Sequence, residues 1–272
     1  MQRDIFTETK INDLEQGAIF YGATSESYPN AELYGIIITP RCDISNHKVT
    51  HFNYLPVIPF ETWLVNDFWV IFKMSILKLL NSNLKSFFQN KNLSPSIIDK
   101  FSPEFILENF NKHFVKAKEK TKFKDLLNGI KDVSEISDNP EMVEVKVIMI
   151  KYEKQAKAIF SEVNNNRNPS FHIIEPWNGN GEYNVILLRE IRKITYEIGM
   201  NLHKGIELAG LSKEQLNKND INSQIDLVYI EKVLKSPFIE HLIQRFTGNF
   251  SKIGVQDHFS ELTNHLFKSY SN

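Results

Sequence analysis

Residues 49–80, VTHFNYLPVIPFETWLVNDFWVIFKMSILKLL, decide the predicted fold, because the hydrophobic pattern changes within them. The residues from Val49 to Ile58 alternate loosely between apolar and polar side chains, as a half-buried strand does, and Pro59 marks the strand's end. From Phe60 apolar residues cover nearly every side of the chain, which is typical of a buried helix. The segment therefore predicts a strand that leads directly into a core helix.

Further strands are predicted on both sides of this segment. Two precede it, at residues 17–21 and 33–39, and with residues 49–58 they form a small β-meander. Residues 143–150 alternate with a period of two, with Val143, Val145 and Val147 on one face, which predicts another strand. Three shorter strands are expected around a hairpin at residues 178–181; they are 171–175, 183–188 and 191–196. We therefore expect one sheet built from both halves of the chain.

The remaining segments predict helices. Ser94-Pro95 and Ser102-Pro103 each place an N-cap serine before a proline, and the second helix is expected to run towards Leu127. From Gln224 the pattern is helical again and includes a helix that starts at Ser236-Pro237.

These elements predict an α+β protein with a single elaborated domain over residues 1–272. Residues 1–59 and 143–200 form the β part, a small curved β-sheet or SH3-like barrel. Residues 60–137 form a helical insertion, and residues 224–272 form C-terminal helices.

Composition limits the classes of function. The 272 residues carry 32 Lys and Arg against 33 Asp and Glu, so any contact with nucleic acid or an anionic membrane must be local. The single cysteine, Cys42, excludes an intrachain disulfide and fits a reducing compartment. The first residues lack the apolar core of a signal peptide, and the apolar stretch 63–80 contains Asp67, Lys73 and Lys78. We expect a cytoplasmic protein without a membrane span or a cofactor.

Arg41, Cys42 and Asp43 follow a predicted strand, where functional side chains are often displayed. Arg41 favours a reactive Cys42 thiolate, Asp43 opposes it, and the alternative is a buried cysteine with a structural role. Cys42 with His47 and His51 offers an incomplete set of zinc ligands, and the alternative is an ordinary turn.

Glu144 and Lys146 match the acidic-x-Lys element of restriction-type nucleases, in which a carboxylate binds a divalent ion. Such a centre needs an upstream carboxylate, for which Asp132 and Asp138 are candidates. The alternative is the solvent-facing edge of a strand.

Four lysines recur every four residues and predict a cationic stripe on one side of a helix; they are Lys112, Lys116, Lys120 and Lys124. Such a stripe is suited to nucleic-acid phosphates, and the alternative is a solvated helix face.

His241 and Arg245 lie one helical turn apart on the helix of residues 236–246, with Phe238, Leu242 and Phe246 on its packing side. We favour an amphipathic helix that docks a protein partner through His241 and Arg245.

Two segments resemble the signature ends of a group of uncharacterised bacterial proteins. They are IIITPRCDIS at residues 36–45 and SPFIEHLIQRF at residues 236–246, the latter continuing to FSKIG at 250–254. Proteins of this kind often lie near phage-defence or mobile-element genes, so the resemblance implies a context and no activity.

Residues 16–20 (QGAIF), the strand through Ile38, and residues 55–59 (LPVIP) are similar in order to the opening of MazF/PemK-type RNA-cleaving toxins. This resemblance implies a small SH3-like barrel. Tyr34-Gly35 stands where those toxins have an arginine-proline pair, so no catalytic residue is transferred.

The function expected from these observations is that of a regulatory or interaction protein of bacterial defence. It would act through a protein partner, with nucleic acid as a second target. The alternative is a metal-dependent nuclease or a toxin-like RNase.

Overall fold

The computed structural model describes residues 4–8, 14–177 and 181–250. Within these ranges the strands are β1 (Phe6–Thr7), β2 (Ala18–Ala23), β3 (Leu33–Ile37), β4 (His51–Pro59), β5 (Phe171–Ile174), β6 (Asn184–Leu187), β7 (Arg192–Thr195), β8 (Ile206–Glu207) and β9 (Leu227–Leu234). The helices are α1 (Arg41–Ser45), α2 (Phe60–Trp63), α3 (Trp69–Gln89), α4 (Ile97–Lys100), α5 (Pro103–Phe110), α6 (Ala117–Glu135), α7 (Met142–Lys151), α8 (Glu153–Asn164), α9 (Tyr196–Asn201), α10 (Lys213–Lys218) and α11 (Phe238–Gly248). A π-helical turn, Leu64–Phe68, joins α2 to α3.

One antiparallel sheet organises the molecule, in the strand order β1-β9-β2-β3-β4-β6-β5. The long strand β4 has two partners, because His51–Tyr54 pair with β7 and Val57–Pro59 pair with β6. The sheet curls into a half-barrel, which confirms the predicted α+β class with a small curved sheet. The sheet contains strands from both halves of the chain, as expected.

The inner face of the sheet packs against the helical block α2–α8. Ala18 and Phe20 of β2 point to this side and are buried in the larger hydrophobic cluster. Helix α3 supplies a buried stripe spaced by four residues, consisting of Phe72, Ile76, Leu80, Leu84 and Phe88. Each such side chain contributes about 1.5–3 kcal/mol when it is removed from water. The segment predicted to be a core helix therefore is one.

The outer face carries a smaller core, which is covered by α11. Ile239 and Leu242 of this helix pack against Ile19, Ile36 and other outward-facing strand residues. His172 of β5 lies directly opposite Ile186 of β6, so it also points to this outer side. The packing places one face of α11 directly above the edge strand β5.

The strand predicted at residues 143–150 is wrong, because these residues form α7. Glu141 and Glu144 form a capping box, in which each side chain accepts a hydrogen bond from the other residue's backbone N–H. Val145 and Ile148 are buried whereas Val147 is 60% exposed, so burial follows a helical period. The β-branched residues of this segment favour a strand by their propensity, but the capping box stabilises the first turn of a helix.

Two other predicted helices also differ from the structure. The helix expected from residue 102 to Leu127 is divided into α5 and α6, because Phe114 leaves the helical path and packs fully buried against Phe123 at a centroid distance of 4.3 Å. The helical pattern expected from Gln224 is interrupted by strand β9, which pairs with β1 and β2.

Some predicted features fall outside the described residues. They are most of the hairpin at 178–181, the part of the C-terminal helices beyond residue 250, and the FSKIG segment after Phe250. Among the residues that are described, no helix is both long enough and apolar enough to cross a lipid bilayer.

Candidate functional site

A cavity of about 360 Å³ lies between α11 and the hairpin of β5 and β6. Its polar lining includes His172, Glu175, Tyr183, His241 and Arg245. A second cavity of about 530 Å³ shares His241 and Arg245 with it. The two residues predicted on the C-terminal helix therefore lie where two concave surfaces meet.

Arg245 is the buried centre of this site. Phe238, Leu242 and Arg245 follow one another at helical spacing, so the arginine occupies an apolar position of α11 and is only 6% exposed. Arg245 therefore lies on the packing side of α11 with Leu242, and its predicted role in partner binding stays a prediction. His241, in contrast, is exposed at the mouth.

The guanidinium of Arg245 joins three elements by hydrogen bonds. Nη2 donates to the carbonyl oxygens of Val163 at 2.7 Å and Phe171 at 3.1 Å, and Nη1 donates to Nδ1 of His172 at 2.7 Å. Val163 belongs to the last turn of α8, and its carbonyl oxygen also accepts a hydrogen bond from the Asn166 backbone N–H at 3.3 Å. Phe171 lies on the edge strand β5. Arg245 thus ties the end of α8 and the edge strand to α11.

Within the residues that the structure describes, no carboxylate balances the positive charge of Arg245. No Asp or Glu of the described residues forms an ion pair with it, and its buried Nε has no hydrogen-bond partner. Burial lowers the pKa of the Arg245 guanidinium below its ordinary value, yet arginine stays protonated in proteins. Burial of a charge without an ionic partner costs on the order of several kcal/mol.

The contact with Arg245 fixes the chemistry of His172. Arginine has only donors, so Nδ1 of His172 must accept and the ring proton of the neutral imidazole lies on Nε2. The His241 ring lies 5.9 Å from the His172 ring, centroid to centroid. Protonation of His172 at Nδ1 would break the bond to Arg245, so His172 is suited to donate a hydrogen bond through Nε2 and unsuited to act as a general acid.

The structure does not assemble the predicted metal-dependent nuclease site. Glu144 accepts a hydrogen bond from the Glu141 backbone N–H at 2.9 Å, and Lys146 pairs with Glu61 at 3.4 Å. The candidate upstream carboxylates have other partners: Asp132 pairs with Lys151 at 3.1 Å and Asp138 with Lys73 at 2.9 Å. Within the described ranges, no three His, Cys, Asp or Glu side chains are grouped as metal ligands.

The segment containing Arg41, Cys42 and Asp43 forms the short helix α1. Cys42 is exposed, so the interpretation of a buried structural cysteine is wrong, and its Sγ lies 3.7 Å from Oδ1 of Asp43. The two nearby histidines have separate partners, because His47 Nδ1 is 2.6 Å from the Tyr196 hydroxyl and His51 Nδ1 is 3.1 Å from the Thr50 hydroxyl.

The predicted lysine stripe is not one helix face. Lys112 lies in a 3₁₀ turn and Lys116 at the N-cap of α6, whereas Lys120 and Lys124 lie within α6. All four are exposed, and none forms an ion pair with a described residue. The four lysines still form an exposed cationic surface, but the chain changes direction between Lys112 and Lys120.

Comparisons with protein-family models, curated proteins and solved structures found no match for this chain. The resemblances to uncharacterised bacterial proteins and to MazF/PemK-type toxins therefore stay predictions. The function of the cavity at Arg245 is argued from the residues that line it. Sequence reasoning did not identify His172 or the burial of Arg245. The available signal was the arginine at an apolar helical position, three residues after Leu242.

Proposed function

We propose that this protein is a regulatory binding protein whose cavity beneath α11 holds the oxyanion of a small ligand, with a phosphate monoester as the preferred class. One observation carries the proposal: the buried guanidinium of Arg245 lines a cavity and has no carboxylate partner in the described chain. A bound anion would supply the missing negative charge.

The donors around the cavity support an anion as the ligand. Three of the five guanidinium N–H donors are used internally, and one Nη1–H of Arg245 remains for an acceptor in the cavity. Arginine binds phosphate and carboxylate oxygens by charge-assisted hydrogen bonds. Cavities of roughly 300–1,000 Å³ suit small-molecule ligands, and both cavities at Arg245 fall in that range. Glu175 also lines the smaller cavity and selects against ligands with negative charge at that end.

The test is anion-dependent thermal unfolding. We expect inorganic phosphate, and more strongly a nucleoside monophosphate, to raise Tm relative to chloride at equal ionic strength. A ligand at 100 times its Kd stabilises by about 2.7 kcal/mol. Arg245→Lys keeps the positive charge but loses the planar guanidinium. We expect this variant to have the same Tm in phosphate, in nucleotide and in chloride. Arg167→Lys, at an exposed arginine, is the matched control. Equal Tm values in phosphate, nucleotide and chloride would refute the proposal.

A second candidate function is contact with nucleic acid through the lysine-rich surface of residues 112–124. This segment contains six lysines and one glutamate, and Glu119 is already paired with Lys91 at 2.8 Å. Phosphate contacts through lysine weaken steeply with salt. Fluorescence anisotropy with labelled RNA and DNA at two salt concentrations tests it. Lys120→Glu with Lys124→Glu should abolish binding, whereas the control Lys154→Glu on α8 should not.

The remaining part of the proposal is the biological setting. The two motifs that resemble defence-associated bacterial proteins support a role in bacterial defence exerted through a protein partner. A phage-plating assay with the wild-type protein and with Arg245→Lys tests whether the cavity matters for that role.

A further inference from the structure

Three tyrosines form a row across neighbouring strands on the outer face of the sheet. Tyr21 of β2 lies directly opposite Tyr34 of β3 on one side and Tyr229 of β9 on the other. The ring centroid of Tyr21 lies 5.5 Å from that of Tyr34 and 5.7 Å from that of Tyr229. Trp177 extends the row beyond Tyr34 at 5.2 Å. The result is a continuous aromatic surface.

This row lies beside the area that α11 covers. Ile19 and Ile36, two residues from Tyr21 and Tyr34 along their strands, are fully buried in the core beneath α11. The three tyrosines are only partly buried. The outer face therefore passes from an apolar core into a solvent-accessible aromatic surface without a change of strand.

Two carboxylates flank the tyrosines and form no ion pair with a Lys or Arg of the described residues. The Tyr21 hydroxyl donates to Oε2 of Glu32 at 2.7 Å, and this bond is the main reason why the pKa of Tyr21 is raised to about 12. Burial, followed by the charge of Glu231, raises the pKa of Tyr34. Oε2 of Glu231 is buried without a hydrogen-bond partner, and no Lys or Arg in the described ranges pairs with Glu32 or Glu231.

We propose that this tyrosine–glutamate face, formed by Tyr21, Tyr34, Tyr229, Glu32 and Glu231, binds an arginine-bearing segment of a protein partner. A guanidinium stacks on aromatic faces and pairs with carboxylates through its fork. It is also more weakly hydrated than the lysine ammonium, so it enters a partly buried aromatic surface at lower cost. The negative charge of Glu32 and Glu231, which no Lys or Arg in the described ranges pairs with, favours a cationic occupant.

The probe is a fluorescein-labelled (Arg-Gly)₃ peptide, with (citrulline-Gly)₃ and (Lys-Gly)₃ as controls of similar shape. Anisotropy at low salt should show that the full chain binds the arginine peptide, binds the lysine peptide more weakly and does not bind the citrulline peptide. The double variant Glu32→Gln with Glu231→Gln should bind the arginine peptide with an affinity lower by roughly tenfold. The matched control Glu108→Gln, at an exposed glutamate on α5, should leave it unchanged.

Tyr21→Ala provides a second variant that leaves both carboxylates in place, and we expect it also to weaken binding. Circular dichroism checks that each variant is folded. Absence of binding to the arginine peptide at low salt would overturn the proposal, as would equal binding by the double glutamine variant. Concentration-dependent dimers that disappear in the double variant would assign the face to a second copy of the chain and also overturn it.

Discussion

Arg41 of α1 and Glu240 of α11 form an ion pair, with Nη1 3.5 Å from Oε1. The pair joins the segments 36–45 and 236–246, the two motifs singled out in the sequence. These segments are distant in the chain, and the fold brings them together on one side of the sheet because β3 leads into α1 while α11 packs on the outward-facing residues of β3. One composite surface therefore contains both motifs.

We expect the Arg41–Glu240 pair to contribute little to stability. The two side chains are 49% and 51% exposed, and exposed pairs contribute about 0–1 kcal/mol. Glu240→Gln should therefore change the free energy of unfolding by less than about 1 kcal/mol in urea titrations. Glu153→Gln, in a similarly exposed pair with Lys157, serves as the reference. A loss several times larger would show that the pair organises structure around it.

Replacement of Arg245 should be far more damaging than replacement of its neighbour His241. Arg245→Met leaves the Phe171 carbonyl without its donor, whereas the Val163 carbonyl keeps the Asn166 backbone N–H, and a buried unsatisfied group costs about 1–3 kcal/mol. We expect a loss of about 1–3 kcal/mol, partly offset because an uncompensated buried charge is removed. His241→Ala, at an exposed site, should change stability by about 0.5 kcal/mol or less. Urea unfolding of both variants is the measurement, and similar losses would contradict the assigned burial.

Glu144 should behave as a helix cap. Glu144→Ala removes the hydrogen bond to the Glu141 backbone N–H and should cost about 0.5–2 kcal/mol, whereas Glu144→Gln can retain it. Neither variant should alter any nucleic-acid cleavage, with magnesium or with chelator. Thermal melts and an incubation with labelled RNA and DNA check both expectations. Metal-dependent cleavage that is lost in Glu144→Ala would restore the nuclease interpretation.

Alkaline pH should destabilise the protein through Tyr54. Burial raises the pKa of Tyr54 to about 12, against an ordinary value of 10.0 in the unfolded chain. Because the folded state retains the proton between these values, the stabilisation is complete below pH 10.0 and is lost as pH rises towards about 12. Tyr54→Phe should lower stability at neutral pH, since the Thr24 N–H loses its acceptor, and should reduce the alkaline slope.

Urea titrations at pH 7, 9 and 11 measure this slope, and the loss from this one group should reach about 1.4 kcal/mol at pH 11, the equivalent of one pKa unit. Tyr183→Phe, at a half-exposed tyrosine, is the control for the loss of a tyrosine hydroxyl as such. A slope in Tyr54→Phe equal to that of the wild type would mean that other groups control alkaline unfolding.

The parts of the fold that the sequence predicts are those governed by local patterns. Strands β2 to β4 and helix α3 follow from hydrophobic periodicity, because their buried faces are defined by neighbouring residues. In α7, a capping box competes with a run of β-branched residues, and periodicity alone chooses wrongly. Strand β9 is misread because its partners β1 and β2 lie more than half the chain away.

The candidate site was predictable only in part. The sequence selects His241 and Arg245 as a pair on α11, but burial of Arg245 depends on carbonyl groups of Val163 and Phe171 that no local pattern connects to it. His172 is found only through its contact with Arg245. The tyrosine row has the same origin, since cross-strand register between β9, β2 and β3 assembles it.

The position of β9 between β1 and β2 has a consequence for synthesis on the ribosome. While residues 227–234 are still inside the exit tunnel, one long edge of β2 lacks its hydrogen-bonding partner, and Phe6 and Thr7 have no strand to join. Exposed strand edges recruit other chains. A nascent chain of this protein must therefore keep its first strands from aggregating until almost the whole sheet has been translated, so a chain truncated before Leu227 should depend on chaperones.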